Sequence, residues 1–130
     1  MKEKNSILVV DDDQDCRDFA TAVLSPCYQV RTVCSVDQCL EQIQQEKPDL
    51  IMLDVMMTGL SDGLDLAKSI REKPETSDIP LIMLTGVNEV YDYRTQVETS
   101  FFPHDRWLDK PVKPDVLLNA INGLLAKKTA

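Results

Sequence analysis

Short, almost wholly apolar runs recur along this chain, and each is followed by a segment of helical period. SILVV (6–10), DLIMLD (49–54) and IPLIML (79–84) leave almost no polar position for a solvated face. A strand wetted on one side alternates in polarity, whereas one that is apolar throughout must be covered on both faces. YQVRTV (28–33) does alternate and reads as a second strand, and RWLD (106–109) reads as a short fifth.

The segments between these runs carry helical signals. Cys16, Phe19, Ala20 and Val23 keep the spacing of one helix face, and Pro26 closes that helix. Ser35 and Gln38 form a capping box before a stripe of Val36, Cys39, Leu40 and Ile43. GLDLAKSIRE (63–72) is helical with Asp62 as its N-cap, and a weaker pattern runs through Val90, Tyr93 and Val97. Pro114 suits the first turn of a last helix with the stripe Leu117, Ala120, Ile121 and Leu124, and Lys127 and Lys128 complement its dipole. Five strand–helix alternations predict an α/β fold, a doubly wound five-stranded parallel sheet with flanking helices. The expectation is one domain over residues 1–130, with no separate output domain.

Composition narrows the function. The formal net charge is −8, from 22 acidic and 14 basic residues, and no Lys/Arg cluster offsets it. Such a surface repels phosphates, so direct nucleic-acid binding is not expected, nor is membrane insertion. The four cysteines (Cys16, Cys27, Cys34, Cys39) lack C-x-x-C spacing and have one histidine, His104, to join them. Three lie in apolar-patterned segments, so buried, reduced thiols are expected rather than zinc ligands. The opening MKEKNS precedes a run too short for a signal peptide core, and a cytoplasmic location is expected.

The first strand ends in DDDQD (11–15), a cluster of like charges that resists desolvation. Either the strand emerges into water there, or a cation sits among the carboxylates. Sites in open parallel sheets lie at the carboxyl ends of the strands. The residues just past those ends are Asp11 and Asp12, then Asp54, Thr85 and Lys110. Singly, each has an ordinary reading as a solvated strand end, a turn threonine or a surface lysine. Together they suit a hard cation such as Mg²⁺, because oxygen ligands converge without histidine or cysteine. Asp13 is assigned to the start or cap of the first helix instead. A carboxylate facing metal, ammonium and hydroxyl can act as nucleophile and form an acyl phosphate.

With these residues in place, the chain resembles the receiver domain of two-component response regulators. The matching stretches are ILVVDDD, PDLIMLDVMM, DGLDL, IPLIMLTG and LDKPVKPDVLLNAI. The resemblance implies a flavodoxin-like three-layer sandwich. It implies that Asp54 is the phosphorylation site, taking its phosphoryl group from a sensor histidine kinase or a histidine phosphotransfer protein. Asp12 and Asp54 would bind Mg²⁺ directly, Asp11 mostly through water, and the Met56 backbone carbonyl would add a ligand. Thr85 and Lys110 would hold phosphoryl oxygens, with Thr85 and Trp107 as the switch pair. It also implies a cis peptide before Pro111 and a downstream protein target on the face around residues 87–112. The domain would be a signalling switch that catalyses its own phosphorylation and dephosphorylation, rather than an enzyme acting on other substrates.

The chain departs from the family at three places. Thr58 stands where proline is common, in a loop TGLSDG (58–63) that is one residue longer than usual. VETSFFPHDRW (97–107) replaces a short turn, with Phe101 and Phe102 either pinning the loop or contacting a partner. Trp107 replaces the usual tyrosine or phenylalanine, either as a working switch or as a fixed plug. Alternatives are a degenerate scaffold receiver or an aspartyl-phosphate-forming phosphatase. The first conflicts with the full site residue set, and the second lacks the second aspartate two residues after Asp54, where Met56 stands. A flavin-binding reading fails because DDDQD would repel the flavin phosphate.

Overall fold

The computed structural model describes residues 4–54, 66, 68–86, 106–110 and 112–129; for 85, 86, 106, 107, 109, 110 and 127–129 it describes the backbone. In chain order the elements are β1 (Ser6–Val10), α1 (Gln14–Leu24), β2 (Gln29–Val33), α2 (Val36–Gln45), β3 (Leu50–Asp54), β4 (Leu81–Gly86), β5 (Arg106–Lys110) and a last helix, α3 (Pro114–Thr129). Residues 68–72 are also helical. Five strands form one sheet in the order β2-β1-β3-β4-β5, every pair parallel.

The apolar strands lie where two-sided burial is available. Every residue of β1 and β3 is buried. Successive side chains point to opposite faces, so each strand feeds two cores. Leu8, Val10, Ile51, Leu53, Leu81 and Met83 pack with Cys39 of α2 and with Leu66 and Ile70. Ile7, Val9, Leu50, Met52, Ile82 and Leu84 pack with Ala20 and Leu24 of α1 and with Leu117, Ala120 and Ile121 of α3. Helices therefore cover both sheet faces, giving a flavodoxin-like parallel sheet with helices on each side.

β2 is an edge strand, and its exposed and half-buried middle residues explain the alternating pattern. The strand starts at Gln29 rather than Tyr28, because Tyr28 is buried beneath α3, where its hydroxyl hydrogen-bonds Asn122 Oδ1. Burial pushes the Tyr28 phenol up from its usual pKa, with neighbouring Cys27 adding to the shift. β3 starts one residue later than expected, since Asp49 is occupied as a clasp. Its carboxylate accepts from the Ser6 N–H at 2.7 Å, and its own N–H donates to the Ser6 carbonyl at 2.8 Å. Ser35 caps α2 as expected, accepting from the Gln38 N–H at 3.2 Å. The return bond of the capping box differs: Gln38 Oε1 accepts from Cys34 N–H at 3.0 Å, one residue before the cap.

Two further expectations are corrected. Phe19 does not join the buried stripe of α1; it is 41% exposed, and Leu24 is buried with Ala20 instead. Only Cys39 is a buried thiol. Cys16 is half-buried, while Cys27 and Cys34 are exposed because they fall in connections just outside the periodic segments. Asp62, the pattern at Val90–Val97, the 58–63 loop, the Phe101–Phe102 segment and Pro111 lie outside the described residues.

Burial pushes the Cys39 thiol from its ordinary value near 9 up to about 12. The unfolded thiol thus ionises first, so this contribution to stability is full below about pH 9 and is lost as pH rises toward 12. Native alkylation with iodoacetamide, read by mass spectrometry, is expected to label Cys27 and Cys34 and to reach Cys39 only after denaturant is added. A second expectation concerns Gly123 in α3, where an added Cβ meets no atom within 4 Å. Gly123→Ala removes the helix-interior cost of glycine and should stabilise by about 0.5–1 kcal/mol in urea melts.

Candidate functional site

The chain leaves β1 for β2 on one side and returns to β3 on the other, so a crevice opens between the carboxyl ends of β1 and β3. β1 and β3 are paired up to Val10 opposite Leu53. The next residue of each chain is an aspartate, Asp11 and Asp54. Asp12 joins them: one carboxylate oxygen from each of the three lies within 4.8 Å of the others. Asp11 and Asp54 are only 2% and 5% exposed, whereas Asp12 is exposed. Asp11 and Asp54 are therefore not strand ends emerging into water, whereas Asp12, Asp13 and Asp15 are exposed.

Local hydrogen bonds set Asp11 in place. Its N–H extends the sheet ladder to the Val33 carbonyl at 3.1 Å, and its Oδ1 accepts from Asp13 N–H at 2.9 Å. Asp13 is kept for capping, as expected. It sits extended at the N-cap of α1, accepts from Asp15 N–H at 3.1 Å, and takes the Cys16 thiol hydrogen at 3.3 Å. Arg17, to which sequence reasoning gave no role, donates Nη1 to the Asp11 carbonyl at 2.8 Å. The available signal was a cation in the first turns of a helix, where the helix dipole disfavours one.

β4 runs from Leu81 to Gly86 and β5 to Lys110, so Thr85 lies two residues and Lys110 one residue further inside its strand than expected. Thr85 belongs to β4 and pairs with Asp109, and Lys110 closes β5 opposite Gly86. Asp54 pairs with Leu84, so Thr85 follows directly at the same sheet edge. The backbone thus brings Asp11, Asp12, Asp54, Thr85 and Lys110 to one edge. The side chains of Thr85, Lys110 and Trp107, and all of Met56, lie outside the described parts. So does most of the face at 87–112. Beside the trio, a cavity of about 460 Å³ opens between α1 and α3, floored by Val9, Met52 and Leu84 with Asp11 and Asp15 at its rim.

The donor set consists of carboxylate oxygens alone, which fits a hard divalent cation and not zinc or copper. Fold and site together define a flavodoxin-like domain with an acidic cluster at its switch point. Residues 7–122 match the response regulator receiver domain family, and the chain belongs to that family, a component of two-component signalling. It is 38% identical over 125 residues to the probable transcriptional regulator ycf27 of Cyanophora paradoxa, covering 95% of this chain and 49% of the relative. It is 35% identical over 123 residues to the transcriptional regulatory protein GltR of Pseudomonas aeruginosa, covering 94% and 49%. The chain spans about half the length of the curated relatives it matches. The receiver domain of NtrX from Brucella abortus superposes with a TM-score of 0.81 at 30% identity, covering 92% of this chain and 98% of that one. Among the described residues, no helix is long and apolar enough to cross a membrane.

Three like charges this close repel, by roughly 1 kcal/mol for a pair at 4 Å even in water. Asp12→Asn removes one of them without changing shape. In EDTA the variant is expected to melt about 3 °C above wild type, and calorimetry should show weaker Mg²⁺ binding. A metal-free variant melting below wild type would contradict a strained acidic cluster.

Proposed function

We propose that this domain is a Mg²⁺-dependent phosphoacceptor, with Asp54 receiving a phosphoryl group from a phosphohistidine on a sensor kinase or histidine phosphotransfer protein. The observation that carries the proposal is the buried Asp54 carboxylate held within 4.8 Å of Asp11 and Asp12. An isolated buried carboxylate is costly. One that shares its site with two others has a use for a divalent cation.

In the proposed reaction an Asp54 carboxylate oxygen attacks phosphorus in line with the leaving nitrogen. The O–P bond forms as the P–N bond breaks, and the electron pair leaves with the imidazole, which takes a proton from solvent. Bound Mg²⁺, held by Asp12 and Asp54, by Asp11 mostly through water, and by the Met56 carbonyl, would supply positive charge against the phosphoryl oxygens. Lys110 and Thr85, brought by β5 and β4 to the same edge, would bind two of those oxygens. Their bonds strengthen as charge develops in transfer. Water attack on the same phosphorus restores Asp54, so the domain turns over its own phosphate.

Output would follow as a population shift between two surfaces, read by a protein partner on the face around residues 87–112 with Thr85 and Trp107 as the switch. The net charge of −8 supports a protein rather than nucleic acid as the immediate partner. GltR and ycf27 are named as transcriptional regulators.

The test is phosphorylation by acetyl phosphate with Mg²⁺, followed by intact-mass analysis. One added phosphoryl group is expected, absent in EDTA and absent in Asp54→Ala. Label retained in Asp54→Ala would place the phosphosite elsewhere.

A further inference from the structure

Arg17 sits where helix electrostatics argue against it. α1 begins at Gln14 behind the Asp13 cap, so Arg17 stands one turn into the helix, its N–H bonded to the Asp13 carbonyl at 3.1 Å. A cation there opposes the positive end of the helix dipole. It also lies close to a site argued above to bind a cation, where its charge repels Mg²⁺. Two unfavourable placements need a compensating contact. That contact is the 2.8 Å bond from Nη1 to the Asp11 carbonyl, made by a half-buried side chain.

The carbonyl it holds belongs to the peptide that joins Asp11 to Asp12. Asp11 is already fixed on its amino side by the Val33 carbonyl and at its carboxylate by Asp13 N–H. The Arg17 bond adds the third restraint, on the plane of the peptide that aims Asp12. Asp12 is the exposed member of the trio. We propose that Arg17 is a positioning residue for the cation site: it locks the Asp11–Asp12 peptide so that the Asp12 carboxylate points at Asp54. This rests on the Mg²⁺ reading of the site. The guanidinium suits the task because its planar fork is pre-organised and stays charged at all working pH values.

The proposal has a sign that simple electrostatics does not share. Removing a positive charge near a cation site should tighten Mg²⁺ binding if charge alone matters. If Arg17 positions Asp12, removing it should weaken binding. Calorimetric titration of Mg²⁺ into the metal-free full chain is expected to give Arg17→Ala about tenfold weaker affinity than wild type, a change of about 1.4 kcal/mol. Arg17→Lys, which keeps a donor and the charge, should recover most of that loss. Circular dichroism and melting in EDTA confirm that each variant is folded. Should Arg17→Ala not fold, Arg17→Lys and Arg17→Gln decide the question, with both expected to bind Mg²⁺ more weakly than wild type and Lys better than Gln. Unchanged or tighter binding in a folded variant overturns the proposal.

A second measurement needs no metal. Amide hydrogen exchange in EDTA should show Asp11 and Asp13 N–H exchanging at least several-fold faster in Arg17→Ala, or in Arg17→Gln if the alanine variant does not fold, while amides of β3 are unchanged. Equal exchange in wild type and variant overturns the positioning role. Wild type that fails to bind Mg²⁺ while showing this exchange difference would instead overturn the function proposed above and leave the positioning role standing.

Discussion

Because β1 and β3 are apolar on both faces, they are stable only at the centre of a parallel sheet with helices on each side. That requirement sets the direction of every strand. It therefore sets which ends of the strands share an edge, long before any polar side chain makes a contact. Asp11, Asp12 and Asp54 are neighbours because Val10 and Leu53 are partners in the ladder. The chemistry of the site is thus a by-product of burying Ile7–Val10 against Leu50–Leu53.

The same arrangement explains how a chain with a net charge of −8 can hold two carboxylates at 2% and 5% exposure. Buried charge is tolerated where backbone donors and a counter-charge are at hand. At Asp11 the turn that starts α1 supplies a backbone donor to the carboxylate, the Asp13 N–H, and Arg17 holds the backbone carbonyl of the same residue. The cavity beside the trio is floored by the apolar side chains Val9, Met52 and Leu84, with Asp11 and Asp15 at its rim.

Much of this was legible in the residues. Wholly apolar runs marked the central strands, and the alternation in 28–33 marked an edge, because burial on one or two faces writes itself directly into polarity. The Ser35 and Asp13 caps were readable because few residue types do that work. Other features depend on tertiary packing and left no periodic trace. Phe19 keeps the spacing of a buried stripe, but α1 is rotated so that Leu24 takes the inner place. Cys27 and Cys34 sit one or two positions beyond an element, where apolar neighbours say nothing about exposure. The strands continue through Thr85 and Lys110, since the ladder extends two pairs, Thr85 with Asp109 and Gly86 with Lys110, beyond the apolar run that ends at Leu84. The role of Arg17 leaves no trace in the sequence because its partner is a backbone carbonyl, which no side-chain pattern reveals.

The hydrogen bond between Tyr28 and Asn122 joins residues 94 positions apart. It belongs to the sheet face closed by α1, from near the start of the chain, and by α3, from near the other end of the domain. The opposite face is closed by α2 and by Leu66 and Ile70, which are local in sequence. The two faces therefore mature at different times on the ribosome. One can be covered when little more than half the domain has emerged. The other presents Ile7, Val9, Leu50 and Met52 without their lid until α3 is made. Early exposure of apolar surface is what chaperones recognise and what drives aggregation. In this fold that interval is confined to the α1–α3 side and ends with the last helix.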